Sequence, residues 1–76
     1  MSNLFNTKIE GRQFNFQPIS VGEDIGYHVD VKDEEGIRWE FTLIRKNSEW
    51  LIEAEKLPEW IKAAEKQLFE TVDGYS

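Results

Sequence analysis

From Tyr27 to Lys32 apolar and polar residues alternate, with Tyr27, Val29 and Val31 on one side and His28, Asp30 and Lys32 on the other. A period of two is that of a β-strand with one buried face. Asp33-Glu34-Glu35-Gly36 follows. Here Asp can bond its own backbone in a type I turn, and Gly supplies the positive φ that returns the chain to a strand. Past the turn, Ile37, Trp39, Phe41 and Leu43 alternate with Arg38, Glu40 and Thr42, a second strand rich in β-branched and aromatic residues.

Parity fixes a register for this pair, because directly opposed residues of antiparallel strands point to the same face. A loop of Glu34, Glu35 and Gly36 sets Val31 opposite Trp39, Val29 opposite Phe41 and Tyr27 opposite Leu43, all apolar and all on one side. On the other side it opposes Asp30 to Glu40 and Lys32 to Arg38, like charges directly across but opposite charges on the diagonals. A third strand is expected over Glu49–Ala54, with Trp50, Ile52 and Ala54 inward. A two-residue turn at Lys46-Asn47 would place Leu43 against Trp50 and Phe41 against Ile52.

Gln13-Phe14-Asn15-Phe16-Gln17 also alternates, and Pro18, which cannot donate to a ladder, marks a sheet border or the strand's end. Residues 1–12 read either as a loose terminus or as a short strand, Leu4–Ile9, paired across Glu10-Gly11. Ser20–Gly26 reads as a loop.

After Leu57 the period changes. Leu57, Trp60, Ile61, Ala64, Leu68 and Val72 fall within an arc of about 120° at helical spacing, while Glu59, Lys62, Lys66 and Glu70 take the other side. Pro58 suits the first helical position, Glu55 and Glu59 suit the positive end of the helix dipole, and Gly74 suits a left-handed cap. A helix of roughly 15 residues rises about 22 Å, enough to lie across several strands. The expected fold is a single α+β domain: an antiparallel meander of four strands, or five if Leu4–Ile9 pairs, with one C-terminal helix packed on one face.

Composition narrows function more by exclusion than by indication. A chain of 76 residues supports one core and leaves few large side chains for a deep cleft. With no Cys it forms neither disulfides nor thiolate metal sites, which fits a reducing cytoplasm. No apolar run approaches the roughly 20 residues of a membrane span, and Met1-Ser2-Asn3 lacks the basic start of a secretory signal. The net charge of -6 works against binding a phosphate backbone. The acidic groups at Glu23-Asp24 and Asp33-Glu34-Glu35 have no calcium-loop spacing, and the glycines form no phosphate-binding motif, so neither metal nor cofactor is expected.

Candidate chemistry is correspondingly thin. His28 is the only histidine; Glu40 is its cross-strand neighbour, and a solvated surface pair is the expectation rather than a general base. The aromatic residues share parity with the core, so a base-stacking platform is not their expected role. Arg38, Arg45 and Lys46 nonetheless leave single-stranded nucleic-acid binding by the outer sheet face as the alternative function. Phe69 stands about 120° off the helix stripe, and Ile44 and Leu51 add apolar area to the outer face of the last hairpin. These three residues are the expected contacts of a non-catalytic domain that binds a protein partner or a second copy of itself.

Overall fold

The computed structural model describes residues 4–54 and 56–74, with the backbone alone at Val21. Five strands, β1 (Phe5–Ile9), β2 (Arg12–Val21), β3 (Asp24–Lys32), β4 (Arg38–Lys46) and β5 (Glu49–Glu53), pair in chain order as an antiparallel meander. Two short helices follow, α1 (Glu59–Ala63) and α2 (Glu65–Asp73). The central register is the expected one, with Val31↔Trp39, Val29↔Phe41 and Tyr27↔Leu43 inward and Asp30↔Glu40 and Lys32↔Arg38 outward. The diagonal attraction is realised: Arg38 Nη2 lies 2.6 Å from Asp30 Oδ2.

The connections differ from expectation where turn chemistry outweighs local composition. Leu4–Ile9 does contribute a strand, with Phe5 opposite Phe16 and Ile9 opposite Arg12 around a turn in which Glu10 and Gly11 have φ of 54° and 80°. Ser20–Gly26 is a tight hairpin rather than a loop. Val21 pairs with Asp24, and Gly22 at φ 63° occupies the first position of a two-residue turn, where a type II′ turn needs it. Pro18 lies beyond the last β1 rung, so its missing N–H interrupts no β1–β2 pairing. The last turn is Asn47-Ser48, with φ of 52° and 68°, instead of Lys46-Asn47. Leu43 therefore faces Ile52 rather than Trp50. This register closes the hairpin on the opposite charges Lys46↔Glu49 and brings the Arg45 guanidinium 5.8 Å from the Trp50 ring centre.

Pro58 precedes the first helical residue. Its ψ of 158° is extended while its carbonyl accepts from the N–H groups of Ile61 and Lys62, the geometry of an N-cap. Glu55 lies outside the described residues. The expected single helix is divided at Ala64, whose φ of -90° and ψ of 0° accompany a tightened bond from its N–H to the Ile61 carbonyl at 3.0 Å. The division inserts no residue, so Ile61, Ala64, Leu68 and Val72 remain one buried stripe. Gly74 is not left-handed: at φ -71° its N–H still reaches the Glu70 carbonyl, continuing the helical path.

That stripe packs against the inner sheet face. Phe14, Phe16, Val29, Val31, Leu43, Ile61, Leu68 and Val72 are buried almost completely. At about 1.5–3 kcal/mol for each fully buried large apolar side chain, this layer is the main source of folding free energy. Trp39, Trp50 and Trp60 pack at its margin, each with a polar contact for its ring. Trp39 Nε1–H donates to Asp33, Trp50 Nε1–H donates to Asp73, and Arg12 stacks 4.4 Å over Trp60 while pairing with Glu34. Ile37 shares the inner parity but stands 52 % exposed beside the turn, a correction to its expected place within the strand.

Candidate functional site

With both helices on one side, the outer face of the sheet is the surface on which the strands could meet a ligand or a partner. It divides into a polar half and an apolar corner. In the polar half, His28 Nε2 lies 2.8 Å from Glu40 Oε1, and Arg38 joins Asp30 at 2.6 Å and Glu40 at 3.9 Å. Period-two alternation places these groups outward, and the like-charged rungs drive the diagonal pairing. An imidazole–carboxylate pair braced by a guanidinium can exchange a proton with a bound group. Here its side chains are 35 % and 50 % exposed beside a depression of ≈ 230 Å³, a geometry shared with ordinary surface ion pairs. Among the described residues, no group of three or more His, Cys, Asp or Glu could hold a metal ion. No helix among them is long and apolar enough to cross a membrane.

At the other end, Ile19, Gly26, Ile44 and Leu51 stand in register across β2, β3, β4 and β5 on the outer face. Ile44 is only 4 % exposed although it lies outside the main core cluster, whereas Leu51 at the rim is 49 % exposed. The structure thus brings Ile44 and Leu51 together as opposed residues of one hairpin. Phe69 does not join them. It lies on α2, half-buried against the core cluster on the opposite side of the sheet. The sequence puts a sheet border or the strand's end at Pro18, which leaves Ile19 out; the outer parity of Gln13, Asn15 and Gln17, continued past Pro18, reaches it.

The three cations proposed for nucleic acid do not converge. Arg38 and Arg45 are seven residues apart on β4, about 23 Å at roughly 3.3 Å per residue. Arg38 is held by two carboxylates, Arg45 has the inner parity beside Trp50, and Lys46 faces Glu49 on the outer side.

The apolar row ends at β5, the terminal strand of the sheet. Its outward residues are Glu49, Leu51 and Glu53, all exposed. On the inner side of the same strand, a groove of ≈ 480 Å³ is lined by Ile52, Ala54, Lys56, Leu57, Lys62 and Glu65. No protein-family model, curated protein or solved structure matches this chain.

Proposed function

We propose that this chain is a small non-catalytic domain that binds another protein through the apolar corner of its outer sheet face. The observation supporting this reading is the row Ile19–Gly26–Ile44–Leu51, which crosses four strands on the side away from the helices and ends in a half-exposed leucine at an open strand. Contiguous apolar area at a sheet rim, bordered by charged residues, is the composition of an interaction surface. The acidic balance of the chain favours a basic partner.

A photo-crosslinking residue at position 51, compared with one at Gln13 in the polar half, tests the reading in extracts of the native cell. Protein adducts are expected from position 51 and not from position 13, and Leu51→Arg competitor protein should fail to suppress them. Equal labelling from both positions would overturn the assignment. Sedimentation of the purified chain over a wide concentration range separates partner binding from self-association, in which wild type gains mass with concentration and Leu51→Arg does not.

A further inference from the structure

The open edge of β5 has a chemistry specific enough to define the segment that would pair with it. The two-residue turn at Asn47-Ser48 makes Lys46↔Glu49 a rung that exchanges both backbone hydrogen bonds. Alternation along an antiparallel ladder then turns the N–H and C=O groups of Trp50 and Ile52 away from β4, toward the open edge. An unpaired strand edge is a template for another strand. Folded domains blunt such edges with short strands, charged side chains, proline or a bulge; β5 is five residues long with an acid at each end, but carries no lysine, proline or bulge between Glu49 and Glu53.

The side chains along the edge select the occupant. Outward, β5 reads acid, leucine, acid, and among the described residues neither Glu49 nor Glu53 has an ion-pair partner. Lys46 faces Glu49 across the hairpin, but Glu53 faces only Thr42. Inward, Ile52 borders a groove also lined by Ala54 and Leu57, with Lys56, Lys62 and Glu65 around them. A second copy pairing Leu51 with Leu51 would set Glu49 against Glu53 twice, and like charges directly opposed destabilise a pair of strands. A strand with a cation at each end and apolar residues between them meets the complement at every position.

Resting on the protein-binding reading above, we propose that β5 accepts an extended partner segment of the pattern cation–apolar–apolar–apolar–cation, which adds to the sheet as a sixth strand. Its backbone would bond Trp50 and Ile52, its cations would face Glu49 and Glu53, and its inward side chains would enter the groove beside Ile52.

The probe is a capped peptide with the core Lys-Val-Leu-Val-Lys, compared with Glu-Val-Leu-Val-Glu, titrated into isotopically labelled protein at low salt and followed by amide resonances. The lysine peptide is expected to bind roughly tenfold more tightly than the glutamate peptide, with the preference falling as salt rises. The largest amide shifts should fall on Trp50 and Ile52, and the double change Glu49→Lys, Glu53→Lys should invert the preference. Equal affinities, no binding of either peptide, or shifts confined to other strands would overturn strand addition. If position 51 still crosslinks a partner in that event, the docking face stands and only the mode of recognition fails. If the peptide preference holds but position 51 labels nothing, the edge chemistry stands and the protein-binding reading fails.

Discussion

The two faces of this sheet are built by the same strands under the same alternation, yet different interactions stabilise them. On the inner face the central positions of β2, β3 and β4, from Phe14 and Phe16 through Tyr27, Val29 and Val31 to Trp39, Phe41 and Leu43, are apolar, and the stripe from Ile61 to Val72 lies over them. Its energy comes from area removed from water, and it tolerates little change. On the outer face the polar half relies on the His28–Glu40 hydrogen bond and on ion pairs such as Arg38–Asp30, which contribute little at such exposure. Only the corner around Ile44 behaves like the inside. The difference teaches that parity assigns a side chain to a face, but what lies over that face decides whether the side chain is a stability residue or a contact residue.

Substitution can break that comparison directly. Leu68→Ala on the covered side is expected to cost about 3–5 kcal/mol, read as a lower urea midpoint at unchanged slope. Ile44→Ala, on the uncovered side but 4 % exposed, is expected to cost about 2 kcal/mol. A cost as small as that of an exposed residue would show that the outer corner is not packed.

The turn that joins β3 to β4 is expected to respond to acid. The Trp39 indole N–H, donating to Asp33 Oδ2 at 3.1 Å, lowers the Asp33 pKa from its ordinary 3.8, and the N–H groups of Ile37 and Glu35 add to the effect. A carboxylate with a lowered folded pKa contributes stability that is present above the unfolded pKa and lost as pH falls through the folded one. The urea midpoint should therefore decline in that acidic window, with the Trp39 indole proton resonance moving in parallel. Asp33→Asn should flatten this part of the pH profile.

Smaller effects sharpen the contrast. Ser48 at φ 68° holds a backbone conformation that glycine adopts without strain. Ser48→Gly, which creates the preferred Asn-Gly turn, should raise stability by up to about 1 kcal/mol in the same denaturation assay. Leu51→Ser should change stability by less than about 0.5 kcal/mol while failing, as competitor protein, to suppress crosslinking from position 51. A large loss of stability would make Leu51 a structural residue and weaken its assignment as a contact.

Much of this was legible from local pattern. Alternation from Tyr27 to Leu43, with the acidic turn between, specified the central hairpin and its register, because a one-residue slip would have turned Trp39 and Phe41 into water. The helix stripe was legible for the same reason at a different period. The β4–β5 register was not, since the Lys46-Asn47 and Asn47-Ser48 turns preserve the same parity and only the pairing of Lys46 with Glu49 and Arg45 with Trp50 separates them. The outer corner was legible as Ile44 and Leu51, but its extension to Ile19 depended on β2 continuing past Pro18.

By itself, then, the order of residues determined which side chains face inward on each central strand and which stripe of the C-terminal segment is apolar, because steric period and transfer from water act residue by residue. Tertiary structure decided the turn between β4 and β5, the division of the helix at Ala64, the separation of Phe69 from Ile44 and Leu51, and the place of Glu49 and Glu53 on an open edge. Each depends on what lies across space from a residue, and that is set only when distant segments compete for the same partners.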